Sequence, residues 1–260
     1  MNETAFAMSA AQPAHRLAII AAMPEELDAF LAAMPGEQAI DLGGRRFWYG
    51  HWQGHEVVAV LSGIGKVAAS ITATAVITRF GATRLIFTGV AGGLGPGVRV
   101  GDVVVATELL QHDLDASPIF PRHEIPGRGI SRIRTCPALS AALVAAASHT
   151  LNVSGGQQVH QGLIVSGDRF VSSLAEAQAL QTELPRALAV EMEGAAIAQV
   201  CLDFGLPFGV VRSISDRADD SAHADFTQFV REVASPHALA IVQATLAHLP
   251  PQAPNPTGAA

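Results

Sequence analysis

The chain has 260 residues, 49% of them hydrophobic and 15% charged, with a formal net charge of −7. This composition excludes a disordered polymer and suits a globular protein with a large buried core. The negative balance argues against duplex nucleic acid or an anionic membrane surface as a main partner, because both reward concentrated positive charge.

Residues 1–15 lack the basic start and sustained apolar core of a signal peptide. No stretch approaches the ~18 uninterrupted apolar residues of a membrane-spanning helix. The two cysteines, Cys136 and Cys201, have no metal-like spacing and fit a reducing compartment, so a cytoplasmic location is expected. Small, polar and proline-rich composition predicts disordered tails at 1–15 and 249–260 around one domain at 16–248.

In chain order, Leu17–Ala22 reads as a buried strand, with Pro24, Glu25 and Glu26 suited to the first turn of a helix. Phe47–Trp52 and Val57–Leu61 flank Gly54 as a hairpin, and a helix is predicted over Val67–Phe80. Strands are predicted at Leu85–Val90, Val103–Ala106, Val159–Val165, Ala187–Val190 and Phe208–Ile214. Further helices are predicted at Pro137–His149, Met192–Phe204 and His223–His248. Such alternation predicts a single α/β domain with a mixed, mostly parallel central sheet flanked by helices. Ligands of such sheets bind beyond the carboxyl ends of the strands, which makes the strand ends the places to search.

Five strand ends carry unusual residues. At 21–26 the carboxylates Glu25 and Glu26 suit either a helix N-terminus or chemistry. Gly63, Gly65 and Ala68 fit a loose dinucleotide pattern, but no acidic residue ends the next strand where a ribose partner belongs. Thr-Gly-Val-Ala-Gly-Gly-Leu at 88–94 permits close backbone approach to a ligand, or marks a strand-exit turn. Glu191 and Glu193 lie two apart, and side by side they are unfavourable unless solvated, hydrogen-bonded or matched to a ligand. Asp216 closes Arg-Ser-Ile-Ser-Asp at 212–216, where it either caps a helix or acts as an acid.

Several acids, one arginine and glycine-rich backbone suit protonation of a leaving group, stabilisation of a cationic sugar and activation of water. His112, Asp113 and Asp115 hint at a metal, but nothing else in the chain matches their spacing. Neither a metal nor a cofactor is called for.

The segments 21–26, 62–67, 166–170 (Ser-Gly-Asp-Arg-Phe), 190–193 and 212–216, in this order and spacing, resemble the purine nucleoside phosphorylase and uridine phosphorylase superfamily. More narrowly, they resemble the 5′-methylthioadenosine/S-adenosylhomocysteine nucleosidases. The resemblance runs from about Arg16 to His248 and implies a nucleoside phosphorylase-like fold, a small nucleoside substrate and a homodimer. It implies that Asp216 protonates purine N7, Glu26 activates water, and Arg212 helps hold water and carboxylate. Phe170 would stack on the base, with the Val171 backbone reading its edge. Glu193 would bind the ribose hydroxyls, with Met192 packed on the sugar. Met23, Ile64 and Phe226 would line the 5′-thio pocket, while Phe120 would belong to a site completed by a partner subunit.

Glu25 and Glu26 would repel a phosphate dianion, which favours water as nucleophile. Val90 stands where phosphorylases of the superfamily place a hydroxyl, and it also departs from the serine of many nucleosidases. The alternatives are a phosphorylase of the same superfamily, or a nucleosidase for another 5′-modified adenosine such as aminodeoxyfutalosine. A non-enzymatic dinucleotide-binding module is more distant, because it leaves Glu193 and Asp216 unexplained.

Overall fold

The computed structural model describes residues 16–34, 36–154, 156–218 and 226–249, with 152–154, 226 and 227 described in backbone only. The expected tails therefore lie outside the described residues, apart from Leu249.

The chain begins with the strand β1 (Arg16–Ala21), the helix α1 (Pro24–Ala33) and the strands β2 (Gln38–Leu42), β3 (Arg45–Trp52) and β4 (His55–Leu61). Next come α2 (Lys66–Thr78), β5 (Ala82–Gly93), β6 (Val103–Gln111), β7 (Ile133–Arg134) and α3 (Pro137–Ser154). The remainder is β8 (Val159–Ser166), α4 (Leu174–Glu183), β9 (Ala187–Glu191), α5 (Gly194–Phe204), β10 (Phe208–Asp216), α6 (Phe226–Phe229) and α7 (Ser235–His248). A π-helical turn, Val230–Ala234, joins α6 to α7 where one continuous helix was expected.

β1 shows why the sheet sits in the middle. Its residues 17–21 are all buried, and they alternate between two cores. Ala18 and Ile20 pack on the face covered by α2 and α5, through Ala69, Ala73, Val76, Ile197 and Cys201. Leu17, Ile19 and Ala21 face α1, α3 and α7, through Leu27, Phe30, Leu143, Ile241 and Leu246. Burial on both faces explains the unbroken apolar run, and fully burying one such side chain stabilises by roughly 1.5–3 kcal/mol.

The α/β class, the mixed sheet and the flanking helices are as expected. The sheet, however, curls further than strand patterning could show. β10 pairs parallel with β5 and antiparallel with β6; β6 runs on through β8 and β9, and β9 returns to β5. These strands form a closed barrel. β1, β4, β3 and β2 extend the sheet beyond it as a side wing. Of the two readings of 88–94, this closure sets aside the strand-exit turn: β5 continues through Gly93 because Gly92 and Gly93 pair with Val190 and Ala189.

Candidate active site

A cleft opens where six strand ends converge. Its empty space, open mouth included, is about 740 Å³. Its wall takes Ala22 and Met23 after β1, Ile64 after β4, Val90–Gly92 of β5, Arg169–Val171 after β8, Val190–Glu193 at the end of β9, and Ser215 and Asp216 at the end of β10. Five of these ends are those singled out by residue type. The sixth, after β8, entered only through the family resemblance.

Glu26 lies beneath this wall and is fully buried. It occupies the third position of α1, and its Oε2 accepts hydrogen bonds from the backbone N–H groups of Ala22 and Met23, each at 3.1 Å. One oxygen thus caps the helix, as the electrostatic reading required. Oε1 has no partner among the described residues. Burial raises the proton affinity of this carboxyl above the ordinary value, and the nearby Arg212 charge opposes the shift.

Arg212 is the largest fully buried side chain. Its Nη1 donates to the Thr88 carbonyl at 2.8 Å, its Nη2 donates to Glu191 Oε2 at 2.5 Å, and its guanidinium carbon lies 3.8 Å from the centre of the Phe87 ring. Glu193 Oε2 stands 3.6 Å from the same Nη2, too far for a hydrogen bond. The two glutamates converge on one arginine, which answers how they tolerate each other.

Glu193 is buried, and its Oε1 accepts a hydrogen bond from Gly65 N–H at 2.9 Å. The glycine turn at 62–67, which resembled a dinucleotide loop, therefore holds a carboxylate of this chain. Burial, and then the neighbouring Glu191 charge, push the Glu193 carboxyl up to about 7.

Asp216 is buried at the end of β10. Its Oδ1 accepts a hydrogen bond from Ala218 N–H and its Oδ2 one from Ser215 Oγ, both at 2.7 Å. Its carboxylate orders a turn. The next helix among the described residues is α6, at Phe226–Phe229.

Phe170 is 42% exposed at the mouth of the cleft, above the buried Val171. Its loop is tied down by a ring of three hydrogen bonds. Lys66 Nζ donates to Asp113 Oδ1 at 2.6 Å, Asp168 N–H donates to Asp113 Oδ2 at 2.9 Å, and Lys66 N–H donates to Asp168 Oδ1 at 2.7 Å. Asp113 is thus engaged in holding loops together, and among the described residues no group of three His, Cys, Asp or Glu is placed to hold a metal.

Met23, Ile64, Val90, Phe170, Val171, Met192, Glu193 and Asp216 all line the cleft, with Glu26 and Arg212 below it. Phe120 is half-buried in the loop after β6 and is not among the lining residues. Phe226 opens α6, and its side chain lies outside the described residues. Sequence reasoning gave no role to Ser166 or Ser215, the hydroxyls bonded to Glu191 and Asp216. A serine ending a buried strand beside an acid was the available signal.

Residues 16–247 match a family model described as the phosphorylase superfamily. A 5′-methylthioadenosine/S-adenosylhomocysteine nucleosidase of Shewanella denitrificans is 37% identical over 211 residues, covering 80% of this chain and 88% of the relative. The chain belongs to the phosphorylase superfamily, in its 5′-methylthioadenosine/S-adenosylhomocysteine nucleosidase branch.

Solved structures agree with this family. The nucleosidase of Neisseria meningitidis in complex with methylthio-immucillin-A superposes with a TM-score of 0.83 at 36% identity, covering 90% of this chain and 100% of that one. A futalosine hydrolase mutant of Helicobacter pylori gives 0.82 at 34% identity, again covering 90% and 100%. Membership in this family removes the dinucleotide-module alternative. No described helix is long and apolar enough to cross a membrane.

Proposed function

We propose that this chain hydrolyses the N-glycosidic bond of 5′-methylthioadenosine and S-adenosylhomocysteine, releasing adenine and a 5′-thio-substituted ribose. One observation carries the reading. At the cleft floor a buried carboxylate, Glu26, keeps an oxygen unbonded among the described residues beside a buried Arg212, under a wall that presents Glu193 and Asp216.

Each residue then has a task. Phe170 stacks on adenine and the Val171 backbone reads its edge. Asp216 delivers a proton toward N7, so that the base leaves neutral. As the glycosidic bond lengthens, the ribose gains oxocarbenium character, and Glu193 on the ribose hydroxyls stabilises that charge more than the ground state. Met192 packs against the sugar. Glu26 takes a proton from the attacking water, and burial strengthens it as a base. Arg212 helps hold the water and the carboxylate. Met23 and Ile64 border the space for the 5′ substituent.

Water is favoured over phosphate by the charge of the floor. Glu26, Glu191 and Glu193 gather around a single guanidinium that is already bonded to Glu191, so its charge is matched and offers a dianion little hold. Val90 offers no hydroxyl to hold one. A second reading, cleavage of another 5′-modified adenosine such as aminodeoxyfutalosine, is favoured by the similarity to the futalosine hydrolase structure.

We also place the protein in the cytoplasm, in methionine salvage, and as a homodimer. Ile64 and Phe170 of the cleft wall are exposed apolar side chains, as are Val67 and Ile71 in the first turns of α2 and, elsewhere, Ile119 and Leu174. Apolar side chains so exposed beside a binding cleft are suited to a second copy. Light scattering that gives a single-chain mass at micromolar concentration would remove the dimer.

The deciding experiment measures adenine release from methylthioadenosine with and without phosphate, together with the sugar product. Free methylthioribose formed without phosphate supports the proposal. A sugar 1-phosphate formed only with phosphate makes the chain a phosphorylase. Release only from a futalosine-type substrate favours the second reading.

A further inference from the structure

Glu191 lines the cleft between Val190 and Met192, yet the mechanism above gives it no task. Its hydrogen bonds account for it. Oε1 accepts from Ser166 Oγ and from Gly194 N–H at 3.0 Å. Oε2 accepts from Arg212 Nη2 at 2.5 Å, Gly194 N–H at 2.8 Å and Glu193 N–H at 3.2 Å. A carboxylate has about four lone-pair sites, so Glu191 has nothing left for a ligand.

The contrast with its neighbours is sharp. Glu26 keeps Oε1 unbonded among the described residues, and Glu193 Oε2 has only the 3.6 Å approach to Arg212.

We propose that Glu191 is a positioning residue which, together with Ser166, commits Arg212 and the first turn of α5 to a fixed arrangement and thereby leaves Glu26 and Glu193 free to act. The inference rests on the nucleosidase reading of the same site.

Three features support it. Ser166 Oγ accepts from Ala195 N–H at 2.7 Å while donating to Glu191. The pair therefore satisfies the exposed donors at the start of α5, in place of an ordinary cap. Second, a β carbon at Gly194 would lie 3.1 and 3.2 Å from the two Glu191 oxygens, so the absence of a side chain there lets the carboxylate reach the helix end. Third, Arg212 has two carboxylates within reach and bonds only one. Without the Glu191 charge, the guanidinium would close on Glu193 and occupy the oxygen that the sugar requires.

The groups facing Glu193 are Glu191 from β9, Arg212 from β10, Glu26 from α1 and the Gly65 N–H before α2. Removing the Glu191 charge takes away a like charge and leaves Arg212 to Glu193, and both changes favour ionised Glu193. This gives a readout that a purely structural role would not move.

Adenine release by wild type, Glu191→Gln and Ser166→Ala would be followed from pH 5 to 9. Glu191→Gln should lower kcat about 100-fold, as a small misplacement of reacting groups can, with KM little changed. Its acid limb in kcat/KM should move to lower pH. Ser166→Ala, which keeps the charge, should lower kcat without moving that limb.

A folded Glu191→Gln with wild-type kcat overturns the proposal. So does a fall in kcat with an unmoved limb, which makes Glu191 merely structural, or a rise in KM alone, which makes it a binding residue. If Glu191→Gln does not fold, Ser166→Ala decides, and an unchanged kcat there overturns the proposal. Absence of adenine release by wild type would refute the nucleosidase reading instead, so the two failures are distinguishable.

Discussion

Gly89 and Arg212 face each other across the β5–β10 pair, so closely that a β carbon on Gly89 would lie 2.1 Å from Arg212 Nη1 and 2.8 Å from Glu26 Oε1. Both neighbours are fully buried, and Arg212 is tied to the Thr88 carbonyl and to Glu191. Gly89→Ala should therefore displace the guanidinium, lower stability by at least about 1–3 kcal/mol through overpacking, and abolish turnover. Urea unfolding with parallel kinetics checks this. A variant with wild-type stability and rate would show that Arg212 can move freely.

Asp216→Asn keeps the shape and removes the proton donor. The expected loss in kcat is about 10²–10⁴-fold, with methylthioadenosine still bound. Loss of ligand binding in a folded variant, read by calorimetry, would make Asp216 a recognition residue.

The raised Glu193 carboxyl ties stability to pH. Its value in the folded chain is about 7, against 4.5 as the ordinary value. Between these the native state holds a proton that the unfolded chain has released. Its contribution to stability is thus fully present below pH 4.5 and lost as pH rises through about 7, by roughly 3 kcal/mol at most. Glu193→Gln should raise the Tm at pH 8 and leave it little changed at pH 4.5. Glu26 shifts in the same direction and remains in the variant, so some pH dependence should persist. Equal Tm gains at both pH values would contradict the assignment.

Phe170 lines the mouth of the cleft, and the task proposed for it is to bind the base, not to move a proton. Phe170→Ala removes a stacking surface worth about 0.5–1.5 kcal/mol beyond area burial. KM should rise several-fold with kcat nearly unchanged, because uniform binding is lost. A fall in kcat with KM constant would instead show that the ring orients the base for protonation.

Much of the site was legible because its residues end apolar runs. Glu193 and Asp216 follow or close a strand, Glu26 sits in the first helical turn after one, and Arg212 interrupts the apolar run inside β10, all where burial makes a charge unexpected. What was not legible depends on contacts distant in sequence. The return of β9 to β5 rests on two residue pairs, Gly92 with Val190 and Gly93 with Ala189, and nothing local announces them. β2 went unseen because Gln38–Leu42 is largely exposed and has no apolar alternation. α4 was missed despite a readable start, since Ser173 followed by Glu176 is a capping signature and Ser173 Oγ accepts the Glu176 N–H. Glu191 was noticed, but its part could not be assigned, because Ser166 and Arg212, 25 and 21 residues away, define it.

The closed ring of strands also separates two kinds of inheritance. Each barrel strand is flanked on both sides, so it cannot slide without breaking two ladders at once, and Glu191, Glu193, Arg212 and Asp216, which sit on or just after β9 and β10, keep their spacing across large changes elsewhere. The segments proposed to meet the 5′ end of a nucleoside, around Ile64 and Phe120, lie in loops outside the barrel strands. A change of preferred substrate can therefore arise by exchanging those segments while the bond-cleaving apparatus stays as it is.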